Sequence, residues 1–180
     1  ISEIKGIAEL SLETLRANNC SNLTKIESSK LETLEAKNCE KLATVAVKSA
    51  QLTTLDLTSS KVSSLDISSC AKLTSITGFD TLPLRTLTAN NSGLTQITGK
   101  ASLETLKANQ CSNLTAIDAK SCGKLTTFEA KNCGKLATVE VESKELTKLD
   151  LTGSAITTLD VSACTKLTTI EVPKQDRKSV

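Results

Sequence analysis

The chain has no Trp, Tyr, His or Met, and its only aromatic residues are Phe79 and Phe128. Without His, and with carboxylates tied to repeating positions, no set of nucleophile, base and orienting group can be named, so neither catalysis nor a cofactor is expected. Interfaces draw much of their energy from Trp, Tyr and Arg. Here the first two are absent and Arg is confined to Arg16, Arg85 and Arg177, which points to weak, polar or multivalent recognition. No apolar run approaches the length of a membrane span, so no membrane insertion is expected. The net charge is +2 with acids and bases interspersed, and the basic cluster at 174–178 is short; no nucleic-acid partner is expected. Seven cysteines make an odd count, which argues against a fully paired disulfide framework.

What the chain does have is a short apolar rhythm. Its clearest form is LTKLDLTGSAITTLDVSACTKLTTI at 146–170: apolar, two polar, apolar, one polar, apolar, twice over. The final pair of apolar positions in each unit has the spacing of a strand with one buried face, and ten or eleven residues per unit leave no room for an ordinary helix. Units begin at Leu12, Leu23, Leu31, Leu42, Leu52, Val62, Leu73, Leu84, Leu94, Leu103, Leu114, Leu125, Leu136, Leu146, Ile156 and Leu167. Such density of self-similarity is the signature of a solenoid, in which each unit buries its apolar edge on the next. The expected fold is therefore a parallel β-solenoid with very little helix, forming one domain over 1–172, with a polar tail at 173–180. Strands should centre near residues 15, 34, 55, 65, 87, 106, 128, 149 and 159. Leu55, Leu57, Leu149 and Leu151 should point inward, and Asp56, Asp66, Asp150 and Asp160 outward. Ile1 already lies within the rhythm, with no initiator Met or leader, which suggests a part of a longer protein.

A longer order is superimposed. SLETLRANNCSNLTKIE at 11–27 recurs as SLETLKANQCSNLTAID at 102–118, and EAKNCEKLATVAV at 35–47 as EAKNCGKLATVEV at 129–141. The block 11–76 thus reads as duplicated at 102–170, joined through an irregular stretch at 77–101 that opens with TGFDTLP. The copies are nine units apart. If two units make one turn of ~21 residues, an odd offset places matching strands on opposite faces. A unit looped out near 78–83, or a three-sided parallel β-helix with three strands per turn, would restore the match.

Written as LxxLxLxxC, the unit resembles the leucine-rich repeat segment LxxLxLxxN/C, with Cys20, Cys39, Cys70, Cys111, Cys122, Cys133 and Cys164 at the N/C position. The alternation of ten- and eleven-residue halves is similar to the short cysteine-containing repeats of internalin J-type bacterial surface proteins. That resemblance implies a right-handed, curved solenoid of leucine-rich-repeat type, at the cell surface or secreted, used in adhesion to a protein or glycan on another surface. The cysteines are read as one structural column at the strand-to-turn corner, reduced and packed inward with S–H directed at a backbone carbonyl. Strand stacking at ~4.8 Å would not itself forbid a disulfide. An eleven-residue spacing with no His does not make a tetrahedral metal cage, so no metal is expected.

Outward positions form polar rows such as Glu35 with Lys37 and Glu129 with Lys131. These four residues, with Phe79 thrown outward by the Gly/Pro break, are the candidate partner-binding positions; Phe128 sits at an inward position. Stacked Asp56 and Asp66, repeated at Asp150 and Asp160, could alternatively hold a cation. Thr54, Thr138, Thr158 and Thr169 raise an ice-binding alternative, against which their charged neighbours Asp56, Glu140, Asp160 and Glu171 count. The expected function is a non-catalytic interaction module, with a structural spacer or stalk as the competing reading.

Overall fold

A computed structural model describes residues 1–4 and 10–172; the tail expected at 173–180 lies outside the described residues. All units but the one at 73–83 contribute a strand of two to four residues, and successive strands alternate between two sides of the coil except at that unit, where β7 and β8 follow one another on the same side. The first side carries β1 (Glu3–Ile4), β3 (Lys25–Ser28), β5 (Thr44–Val47), β7 (Ser64–Asp66), β8 (Thr86–Thr88), β10 (Thr105–Lys107), β12 (Thr127–Glu129), β14 (Lys148–Asp150) and β16 (Thr169–Glu171). They pair in that order as one nine-stranded parallel sheet. The second side carries β2 (Thr14–Arg16), β4 (Thr33–Glu35) and β6 (Thr54–Asp56) in one sheet. Its other sheet is formed by β9 (Gln96–Thr98), β11 (Ala116–Ala119), β13 (Thr138–Val141) and β15 (Thr158–Asp160). Every strand centre expected from the rhythm lies in a strand. The only helical element among the described residues is a single 3-10 turn at Phe79–Thr81.

The coil has two strands per turn, with partners 19 residues apart at Thr14 and Thr33 and 22 apart at Ser64 and Thr86. Three strands per turn is therefore excluded, and so is a looped-out unit. The unit at 73–83 keeps its place on the second side, where Thr77 bridges Asp56 and exchanges hydrogen bonds with Leu55 and Leu57 at 2.9 and 3.0 Å. Nine units then amount to four and a half turns, and the duplicated blocks are related by a half-turn. β4 and its copy β12 lie on opposite sides, as do β5 and β13. The chain tolerates this because both sides bury the same alternation of Leu, Ile and Val, so a unit fits either sheet.

The core is one continuous stack. Leu34, Leu55, Leu65, Leu106 and Leu149 at strand centres, and Leu57, Ile67 and Leu151 two residues on, are all within 1% of complete burial. Phe128 is core, as its inward position requires. The corners after β2, β4, β6, β7, β8, β10, β12 and β14 turn through a left-handed residue four positions after the strand centre: Asn19, Asn38, Ser59, Ser69, Asn91, Gln110 and Asn132 all have positive φ, and Gly153 completes the series. Asn is among the few non-glycine residues that visit this conformation readily, which accounts for the recurrent NC and NN dipeptides.

The cysteines form two columns rather than one, because units alternate between corners. Cys20, Cys39, Cys122 and Cys164 follow second-side strands; Cys70, Cys111 and Cys133 follow first-side strands. Thiols of Cys39, Cys70, Cys111 and Cys133 donate to carbonyls of the preceding coil at 2.9–3.1 Å, at Ala17, Val47, Ala89 and Ala108. Serine takes the corner in other coils. Ser60 accepts from the Cys39 N–H and donates to Ala36, and Ser154 repeats this with Cys133 and Ala130 on the opposite corner. All seven cysteines are free, and all but Cys20 are buried. Burial pushes the Cys70 and Cys122 thiols up to about 11. Hydrogen bonding with Cys111 together with burial raises Cys133 as well. A reagent must reach the sulfur, and only Cys20 is open to solvent, so titration of the native chain with a disulfide reagent at pH 8 is expected to modify Cys20 first and to reach the others only on unfolding. Fast modification of several thiols, or pairing in freshly purified protein, would show that the corners are open or stapled.

Candidate functional site

The surface chemistry comes from strand ends, where outward residues of one coil meet those of the next. At the end of β4, the Glu35 carboxylate accepts from the Arg16 guanidinium at 3.1 Å and the Asn18 amide at 3.3 Å. Lys37 pairs with Asp56 at 3.0 Å, and Asn18 accepts the Lys37 backbone N–H at 2.9 Å. Half a turn and several coils on, the copy is rebuilt. Glu129 accepts from Lys107 and Asn109 at 3.2 Å, Lys131 pairs with Asp150 at 2.9 Å, and Asn109 accepts the Lys131 N–H at 2.9 Å. The constellation is thus carboxylate, lysine and a bridging asparagine, bracketed by a cation from the coil before and an aspartate from the coil after. Arg16 and then Asn18 hold Glu35 below its ordinary value. At Glu129, burial is outweighed by Asn109 and Lys107, with the same result.

The four row residues do not form one patch. Glu35 and Lys37 lie on the second side, Glu129 and Lys131 on the first. Phe79 is on the second side and is not thrown outward: it is half-buried against the core, with the Lys100 ammonium 5.6 Å from its ring centroid. It helps to line a cleft of about 250 Å³. Glu129 and Lys131 line a second, of about 290 Å³, together with Thr126, Thr147, Lys148 and Asp150.

Two further expectations change. Asp150 does not point into solvent: it is 4% exposed. Its Oδ1 accepts from the Thr152 N–H at 3.1 Å and hydroxyl at 2.8 Å, and its Oδ2 faces Lys131. Burial alone would raise its pKa, but Lys131 and Thr152 overcome it and hold the carboxyl at about 2. The aspartate stack does not exist either, because Asp56 lies across the coil from Asp66, and Asp150 across the coil from Asp160. Asp66 instead pairs with Lys48 at 2.9 Å and closes a turn onto Ser68. Among the described residues no three metal-ligating side chains converge.

The sequence reading passed over the partners that orient these residues: Arg16, Asn18, Lys107 and Asn109. Their signal was the asparagine three positions after the strand centre, present in both RAN and KAN. It also passed over Gln96, Thr98 and Lys100, which only the coil brings beside Phe79.

These features define a two-sided parallel β-solenoid of about eight turns. No protein-family model matches the chain, and no curated protein is significantly similar to it. Among solved structures it is similar to the functional domain of InlJ from Listeria monocytogenes, which includes a cysteine ladder. The two share 16% sequence identity at a TM-score of 0.37, over 90% of this chain and 63% of that one. The chain therefore spans just under two thirds of its structural neighbour.

Proposed function

We propose that the chain is a non-catalytic interaction module of a bacterial surface or secreted protein, binding a protein or glycan partner through its strand faces. The observation that carries this reading is the repeated constellation: one arrangement of carboxylate, lysine and asparagine, held by inter-coil bonds and displayed on both sides of a continuous stack. A surface already ordered in this way loses little entropy on binding, and two copies allow bivalent capture. The leucine-rich-repeat form LxxLxLxxC supports the assignment to adhesion, and the absence of His supports a role without catalysis.

A stalk is the second reading, favoured by the lysines being engaged internally with Asp56 and Asp150. The two readings separate by experiment. Lys37→Gln and Lys131→Gln should each weaken capture of a host-surface partner by about fivefold at low salt, and less at physiological ionic strength. A stalk would tolerate both. If the chain alone captures nothing while a longer parent does, the stalk reading replaces the module.

A further inference from the structure

The second side is broken once among the described residues. Thr77 makes its bridge to Asp56, while β9 pairs only with β11 beyond it. Elsewhere on this side the N–H groups entering a strand are taken by the preceding coil, as Thr53 and Thr54 are by Glu32 and Thr157 and Thr158 by Ala137. No such bond joins β9 to the unit at 73–83. The reason lies in TGFDTLP: Thr77 turns back to Leu55 and Leu57, and past Gly78, at φ 80°, the chain enters the 3-10 turn instead of a corner.

Strand alternation fixes what this leaves open. Gly99 donates its N–H to Asp118 at 2.6 Å, and Thr95 accepts from Thr115 at 2.9 Å, so both face forward along the stack. The N–H and C=O of Gln96 and Thr98 therefore face the opposite way, into the cleft. Both residues are exposed. The cleft has an apolar floor of Ile76, Phe79 and Leu94, and at its rim Asp80 pairs with Lys100 at 2.8 Å. The Asp80 side chain is 87% exposed, which leaves its carboxylate open to a second cation.

We propose that this break is a docking site for an extended segment of a partner protein. The segment pairs its backbone with the open edge of β9, seats one apolar side chain against Phe79, and places a Lys or Arg beside Asp80. The proposal deepens the interaction-module reading and rests on it. Two residues offering N–H and C=O together at strand spacing are matched by another extended backbone, the basis of recognition by strand addition. Exposed edges are ordinarily shortened, charged or covered. Here Gln96 and Thr98 are uncharged and stand next to an apolar recess, which is the pairing of backbone edge and side-chain pocket that strand addition uses.

The test is to pan a displayed library of random peptides, each about twelve residues long, against the full chain and to synthesise the enriched sequence. It should bind in the micromolar range and slow amide exchange at Gln96 and Thr98 while leaving β6 unchanged. Phe79→Ala should weaken it about tenfold, a loss typical of an interface anchor. Phe79 also touches the core, so a reading independent of folding comes from the peptide: N-methylation of its alternate amides should abolish binding. The proposal is overturned if no peptide enriches, if binding leaves exchange at Gln96 and Thr98 unchanged, or if every N-methylated peptide binds equally well. A chain that captures a host-surface protein through its charged rows, yet enriches no peptide, keeps the module reading and loses this site.

Discussion

Leu149→Ala should lower the unfolding free energy by about 2–5 kcal/mol, the range for removing a large aliphatic side chain from a packed core. Leu149 is completely buried at the centre of β14, in register with Phe128 on the coil before and Ile170 on the coil after. Neither neighbour can collapse into the gap without breaking ladder hydrogen bonds, so the cavity persists. Chemical denaturation followed by circular dichroism measures the loss. Asp150→Ala, one residue on, should cost about 1–3 kcal/mol, because it strips the Thr152 N–H and hydroxyl of their acceptor and leaves Lys131 unpaired. Asp160→Ala, at an exposed site, should change stability by no more than about 0.5 kcal/mol. Equal losses at Leu149 and Asp160 would mean that the strand faces are inverted.

Gly93→Ala should be comparably damaging, at about 3 kcal/mol, the upper end of what overpacking costs. A Cβ on Gly93 would lie 2.3 Å from the Ala71 carbonyl oxygen and 2.9 Å from that of Leu73. Both are backbone atoms of the preceding corner and have no rotamer with which to yield. Gly93 also donates its N–H to Cys70 at 3.0 Å, so moving the corner away sacrifices that bond. Gly123→Ala is the matched control, since a Cβ there meets nothing within 4 Å. The denaturation midpoint should fall for Gly93→Ala and stay nearly constant for Gly123→Ala. A neutral Gly93→Ala would show that the two corners are not in contact.

The strands were legible because their signal is local. In LTKLDLT the alternation of Leu149, Asp150 and Leu151 assigns the buried face within three residues, and Phe128, occupying the position that Leu34 holds in the first block, could be placed in the core from its slot alone. Phe79 was legible only as a break in rhythm. Its half-buried position depends on Gly78 turning the chain and on Lys100, one coil later, reaching over the ring. The charged rows were legible as rows, but which lysine meets which carboxylate was not: Lys37 pairs with Asp56, 19 residues on, rather than with its close neighbour Glu35.

The amino-acid sequence by itself determined the unit, the strand centres, the near absence of helix and the duplication, since each follows from side chains a few residues apart on one pleated backbone. Only the tertiary structure decided which units stack on which. That choice depends on the summed length of two unequal halves and on corner packing between residues 19 to 22 apart. From it follow the half-turn between the duplicated blocks, the division of the cysteines into two columns and the burial of Asp150 beneath Lys131. The open edge of β9 has the same origin, because an open strand edge is defined by the absence of a neighbour one coil away, and no local pattern records it.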